Sequence, residues 1–177
     1  QTRINVTING IPLNDAESHG VFWVNKPDFA SSVENIQIQR GVGTSTNGAA
    51  TFGASMNIQT DSHEKEAYGE VDNSFGSFNT RRHMVKVGSG LINNRWGFDA
   101  RLSQISSDGF IDRAFSDLKS YFLQGTYVGE TTLIKGLVFG GNQKTYQAWY
   151  GLEDPELLQK NRTFNVAGMY FDEEGKM

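Results

Sequence analysis

The chain has 177 residues, no cysteine and a formal net charge of −4 at pH 7. The acidic balance and the lack of a basic run exclude a nucleic-acid-binding protein. The lack of cysteine excludes disulfides and thiolate metal sites. Twenty glycines and 12% aromatic residues favour a β-rich fold with many turns over a helical bundle. No stretch of about 18 apolar residues is present, so the sequence predicts no transmembrane helix.

The first elements in the sequence are a strand, a tight turn and a loop. Ile4, Val6 and Ile8 alternate with polar residues, and Asn9-Gly10 is a strong signal for a tight turn. Residues 15–23 follow as a loop. Pro27 then disfavours a helical conformation at the residue before it.

Residues 33–60, VENIQIQRGVGTSTNGAATFGASMNIQT, indicate a strand, a glycine-rich turn and a second strand. Ile36 and Ile38 alternate with glutamines until Arg40-Gly41 ends the run. The glycines allow positive φ and close backbone approach. The spacing after Gly41 does not match GxGxxG, and no Gly-Lys-Ser/Thr follows, so this turn predicts no phosphate site.

The same passage resembles the late part of the plug domain of TonB-dependent outer-membrane receptors. In that family a strand ending in Arg-Gly leads through a small-residue turn to a closing strand with Asn-Ile. Upstream, VTINGIPLNDAESHG is similar to the strand and turn that lead into an exposed plug loop, and the resemblance implies a short helical turn near Phe29. Val42 stands where many members have proline, and Asn47-Gly48 stands where many have Tyr-Gly. These departures weaken the transfer of individual ligand contacts.

After a charged bridge near residues 61–66, strand-like runs recur. In the clearest run, Trp96, Phe98 and Leu102 alternate with Asp99 and Arg101, which predicts an antiparallel meander with one apolar and one polar face. Short turns at 92–95 and 129–131 contrast with a long segment at 107–119, an arrangement typical of outer-membrane barrels. A soluble sandwich also produces uneven loops. The runs are 67–75, 81–91, 96–107, 120–129 and 132–141.

The predicted fold class is mainly β, with two parts. The resemblance implies that residues 1–61 are the C-terminal part of a small α+β plug domain. Residues 62–177 would then supply about five of the roughly 22 strands of a plugged transmembrane β-barrel, with extracellular loops, in the outer membrane of a Gram-negative bacterium. Both ends of the sequence are expected to be truncated. A short helix is predicted at Pro155, with Asp154 as its N-cap.

No catalytic constellation is present in the sequence. His19, His63 and His83 are far apart, and neither HExxH nor GxSxG occurs. The acidic pairs are most simply solvated loop residues. The sequence therefore predicts a protein that is not an enzyme and has no metal site or cofactor.

The resemblance implies solute recognition by two plug loops at the outer mouth. In the first loop the aromatic rings would stack on a bulky ligand, and in the second the small polar side chains would hydrogen-bond to it. The alternative is that Phe22 and Trp23 pack the plug and that the second loop is only a turn. The candidate ligand-binding residues are His19, Phe22, Trp23, Thr44, Ser45, Thr46 and Asn47.

Arg40 is the candidate for attaching the plug to the wall. The resemblance suggests that plug arginines pair with carboxylates of the barrel wall, which a water-filled lumen tolerates. Glu70 and Asp99 would face the lumen as partners. The alternative is a solvated arginine at a strand end.

The resemblance implies energy-coupled uptake of a scarce, bulky solute. An iron–siderophore complex is the first candidate cargo, and cobalamin, haem and oligosaccharide stay open. The implied partners are the extracellular solute, outer-membrane lipid and TonB, which would engage a segment upstream of Gln1. The alternative is a soluble or surface-attached β-rich ligand-binding or adhesion domain with Trp149-Tyr150 as its platform. A barrel wall exposes its apolar strand face to lipid, whereas a soluble domain buries that face; the residues concerned are Phe98, Leu102, Tyr121 and Leu123.

Overall fold

The computed structural model describes residues 4–41, 52–60, 62, 64–152 and 155–167. These residues form two sheets, with the strand orders β2-β1-β4-β3 (the first sheet) and β5-β6-β7-β8-β9 (the second sheet). The predicted mainly β fold is confirmed. No helix in the described ranges is long and apolar enough to cross a membrane. The strands are β1 Ile4–Ile8, β2 Ile11–Pro12, β3 Val33–Arg40, β4 Ala54–Thr60, β5 Tyr68–Gly76, β6 Thr80–Gly88, β7 Trp96–Ser107, β8 Ser116–Val128 and β9 Leu133–Thr145; two 3-10 helices cover Trp23–Asn25 and Phe29–Ser32, and α1 covers Pro155–Lys160.

The first sheet is mixed. β1 runs parallel to β4, whereas β3 is antiparallel to β4 and β2 is antiparallel to β1. Asn9 and Gly10 have φ of 50° and 82°, which is the backbone that a two-residue hairpin turn requires. Asn14 then holds the returning chain against β1, because its Oδ1 accepts from Val6 N at 2.8 Å and its Nδ2 donates to Ile4 O at 2.9 Å.

The second sheet is a meander of consecutive antiparallel strands. Along β7, buried Asp99, Arg101 and Ser103 alternate with exposed Phe98 and Leu102. The predicted separation into a polar face and an apolar face is therefore confirmed. We call the buried, polar side the inward face, since it packs on the first sheet, and the exposed side the outward face.

Three strand boundaries differ from the predictions. β8 begins at Ser116, because residues 116–119 pair with β7 on one side and β9 on the other. The same pairing extends β9 to Thr145 and shortens the predicted long loop to residues 108–115. β6 ends earlier than predicted, at Gly88, and Gly90 then turns the chain with φ of 67°. α1 begins at Pro155 as predicted, while Asp154 lies outside the described residues.

The apolar core lies between the two sheets. Val6, Ile8 and Ile58 of the first sheet pack with Phe29, which lies between β2 and β3, and with Phe122 of the second sheet. The Phe29 ring lies 6.3 Å from that of Phe122, measured between centroids. The ring of Phe139 of β9 lies 5.0 Å from that of Phe29, so the core joins the sheets around a cluster of three aromatic rings.

Candidate functional site

Residues 26–32 connect the first sheet to the inward face of the second. Pro27 lies against β9 at Gly141, where an added Cβ would be 2.7 Å from Pro27 Cγ and closer still to the carbonyl oxygen of Lys119. Asp28 has φ of 49° and precedes the 3-10 helix Phe29–Ser32. This left-handed backbone turns the Asp28 carboxylate and the following serines toward β6 and β7.

Gly141→Ala is expected to lower the free energy of unfolding by about 1–3 kcal/mol, the usual cost of overpacking. The matched control is Gly136→Ala on the same strand, where an added Cβ meets nothing within 4 Å. Urea unfolding of both variants in detergent micelles measures the difference. Equal midpoints would contradict the close packing of Pro27 and the Lys119 carbonyl around Gly141.

The carboxylate of Asp28 is the centre of an ionic cluster. Its side chain is 8% exposed, and Oδ2 lies 3.1 Å from Arg101 Nη1 and 3.6 Å from Arg82 Nε. Oδ2 also accepts from the hydroxyl of Ser103. Oδ1 accepts from Ser31 Oγ at 2.5 Å. One carboxylate of the connecting segment is thus held by two adjacent strands of the second sheet.

Both arginines have further partners. Arg82 Nη1 lies 2.6 Å from Asp72 Oδ2, and Arg101 Nε donates to Ser32 Oγ at 2.6 Å. The side chain of Arg101 is only 2% exposed, so its charge depends on these partners. We call the group the Asp28 cluster; its two arginines, two carboxylates and three serines are Asp28, Ser31, Ser32, Asp72, Arg82, Arg101 and Ser103.

A second polar contact joins the sheets near the end of β4. Thr60 Oγ1 donates to Gln124 Oε1 at 3.1 Å and accepts from Asn9 Nδ2 at 2.9 Å. Asp99 accepts from Tyr68 Oη at 3.0 Å and from Gln124 Nε2 at 3.5 Å. The two sheets are therefore joined by the apolar core and by two separate polar contacts.

The first predicted ligand loop is structured and exposes its candidate residues. Asp15 Oδ2 accepts from Ser18 N at 2.7 Å, and this hydrogen bond holds the pKa of Asp15 below its usual value. His19, at the end of this turn, is exposed and has φ of 54°. Phe22 and Trp23 are 54% and 41% exposed. Val21, between His19 and Phe22, is buried in the core. The loop is therefore anchored by Val21, while the rings of Phe22 and Trp23 are exposed.

The other predicted site residues are not brought into this arrangement. Arg40 is exposed at the end of β3, and no ion pair joins it to another residue of the described ranges. Its pairing with the wall stays a prediction. Of its expected partners, Glu70 is exposed and Asp99 is hydrogen-bonded to Tyr68. The second predicted ligand loop, Thr44, Ser45, Thr46 and Asn47, lies outside the described residues.

The Asp28 cluster was missed by sequence reasoning. Alternation along β7 predicts the polar face for Arg101, and the same period of two along β6 puts Arg82 on that face, so alternation alone is a usable signal for Arg82. Asp28 had no such signal, because it lies in a segment without periodicity after Pro27.

No protein-family model and no curated protein matches the sequence. Solved structures do match. The ferripyoverdine receptor of the outer membrane of Pseudomonas aeruginosa, bound to ferripyoverdine, aligns with a TM-score of 0.62 and 16% identity over 78% of this chain and 19% of the receptor. The siderophore receptor PirA from Acinetobacter baumannii aligns with a TM-score of 0.56 and 15% identity over 80% of this chain and 24% of that protein.

The copper transporter OprC aligns with a TM-score of 0.61 and 15% identity, over 81% of this chain and 23% of the transporter. The chain thus spans about a fifth to a quarter of the length of these proteins. They are plugged β-barrel receptors of the TonB-dependent class. The chain therefore has the fold of part of a plugged β-barrel receptor, as the sequence resemblance predicts.

Proposed function

We propose that this chain supplies part of the plug and the first five wall strands of a TonB-dependent receptor in the outer membrane of a Gram-negative bacterium. In this proposal residues 1–61 belong to the plug and residues 62–177 to the wall and its extracellular loops. The receptor would bind a scarce, bulky solute at its outer mouth, and TonB would drive a plug rearrangement that admits it.

The observation that carries the proposal is the outward face of the second sheet. Phe98, Leu102, Tyr121 and Leu123 are all more than 40% exposed, although polar residues of the same strands are buried on the inward face. In water such an apolar face promotes aggregation, whereas in a bilayer the acyl chains of the lipids cover it. The distribution favours a barrel wall over a soluble binding domain.

Aromatic residues add to this argument at the rim formed by the turns 89–95 and 129–132, which we call the short-turn rim. Trp96 and Tyr127 are register partners on the outward face, and their ring centroids are 4.6 Å apart. Trp and Tyr prefer the boundary between hydrocarbon and head groups. The pair therefore lies where a barrel wall would meet the head groups on its short-turn side.

The opposite rim, which we call the long-segment rim, is built from the segments that follow β7 and β9, and these contact each other. Asp112 N donates to Thr163 O at 2.7 Å, and Arg113 Nη2 donates to Asn165 O at 2.5 Å. The rings of Phe78 and Phe110 are 5.5 Å apart. Contacts of this kind fit the outer mouth of a receptor.

The cargo that we propose is an iron–siderophore complex, because siderophore receptors share the fold.

The proposal is tested with the full-length protein that contains this chain, expressed in a Gram-negative host without its own siderophore receptors. We expect heat-modifiable migration on a gel, and accumulation of a radiolabelled ferric siderophore in the presence of TonB but not in its absence. Migration that does not depend on heating would overturn the barrel. Uptake of copper or cobalamin without ferric-siderophore uptake would overturn the proposed cargo alone.

Trp23→Ala is expected to raise the Kd for the ferric siderophore by roughly tenfold, the loss of one well-placed aromatic contact. Binding is measured with TonB absent, so that transport does not affect the equilibrium. Trp96→Ala, at the opposite rim, is the matched control and should bind as the wild type does. An unchanged Kd for Trp23→Ala would exclude this residue from the solute site.

A further inference from the structure

The outward face of the second sheet changes in polarity along its strands. Near the long-segment rim, one row of register partners crosses all five strands and is wholly polar. The next row toward that rim also contains charged residues. We call these two lines of residues the polar rows; they are Asn73, His83, Gln104, Lys119 and Asn142, and then Phe75, Arg81, Ser106, Asp117 and Lys144.

A groove of about 610 Å³ lies where the polar rows meet the apolar band. Its apolar side includes Leu102 and Tyr121, and its polar side includes His83 and Lys119. The ring of Tyr121 lies over Gly140, where an added Cβ would be 2.9 Å from Tyr121 Oη. Because Gly140 has no side chain, the tyrosine lies across β9 and leaves the groove open beside it.

Positive charge is confined to one edge of this face. The polar rows contain Arg81, Lys119 and Lys144 against one carboxylate, Asp117, which accepts from Gln104 Nε2 at 3.5 Å. Between these rows and the short-turn rim, the outward positions of β5–β9 include no charged side chain. An apolar groove with cations along one edge is complementary to acyl chains attached to a phosphate head group.

We propose that this groove binds a membrane lipid whose phosphorylated head group has a net negative charge. Its acyl chain would lie along Val85, Leu102 and Tyr121. Its phosphate would lie at Lys119, flanked by Arg81 and Lys144. The inference rests on the proposed function, since the outward face must then lie in the bilayer with the polar rows at the leaflet nearest the long-segment rim.

The test uses the full-length receptor in detergent micelles, incubated with phosphatidylglycerol or phosphatidylcholine of identical acyl chains, and native mass spectrometry counts the retained lipid. We expect phosphatidylglycerol to be retained several-fold more than phosphatidylcholine. Lys119→Gln should reduce that preference about fivefold, which is the usual contribution of one basic residue near an anionic head group. Lys65→Gln, outside the second sheet, is the matched control and should not alter the preference.

Equal retention of the two lipids, or a Lys119→Gln variant with wild-type preference, would overturn this inference. Displacement of phosphatidylglycerol by inorganic phosphate alone would also overturn it, because the apolar groove would then contribute nothing to lipid binding. Heat-modifiable migration and siderophore uptake are measured in parallel. A receptor that inserts and transports without distinguishing the lipids disproves the lipid site alone, whereas a protein that does not insert disproves the proposed function as well.

Discussion

Replacing Asp28 with asparagine is expected to destabilise the attachment of the first sheet to the second by about 3 kcal/mol, within the range for breaking a buried ion pair. The substitution removes the carboxylate that lies 3.1 Å from Arg101 Nη1, and Arg101 is 2% exposed. Asparagine tolerates the left-handed backbone of residue 28 and preserves the size of the side chain. The effect therefore reports the lost charge and not a changed loop.

The measurement is urea unfolding of the full-length protein in detergent, followed by limited proteolysis that detects release of the first sheet. Asp117→Asn removes a carboxylate from the outward face and is the matched control, with an expected change below about 0.5 kcal/mol. Arg82→Gln should fall between the two, because Arg82 is 24% exposed. If Asp28→Asn unfolds at the wild-type urea concentration, water screens the Asp28 cluster and the cluster does not anchor the first sheet.

Much of the second sheet was predictable because alternation depends only on neighbouring residues. The period of two along β7 placed Asp99 and Arg101 inward and Phe98 outward, and the structure confirms this arrangement. The start of β8 was not predictable in the same way. Residues 116–119 have no apolar alternation, and they are strand because β7 and β9 pair with them from both sides.

The attachment of the two sheets was less predictable, because it depends on contacts between distant residues. Asp28 and Arg101 are 73 positions apart. The resemblance suggested an arginine from the plug and a carboxylate from the wall, whereas in the Asp28 cluster the connecting segment supplies the carboxylate and the second sheet supplies the arginines. Alternation identifies which strand residues face inward, but it does not identify the loop residue that meets them.

Phe29→Ala is expected to produce the other large loss, about 3–5 kcal/mol, the usual cost of truncating a buried phenylalanine. Phe29 is 7% exposed, and its ring centroid is 5.0 Å from that of Phe139 and 6.3 Å from that of Phe122. The substitution removes both ring contacts, the one with β8 and the one with β9. Phe52→Ala, at a residue 74% exposed, is the control and should change the urea midpoint little.

The double variant Asp28→Asn/Phe29→Ala tests whether the ionic and aromatic contacts of residues 26–32 act as one attachment or as two independent ones. Both residues belong to one short segment, so once the first substitution releases it the second has less contact left to remove. We therefore expect the combined loss to be smaller than the sum of the single losses by roughly 1 kcal/mol or more. Strict additivity would show that the ionic and aromatic contacts hold the second sheet separately. The connecting segment would then not be the single unit that joins the two sheets.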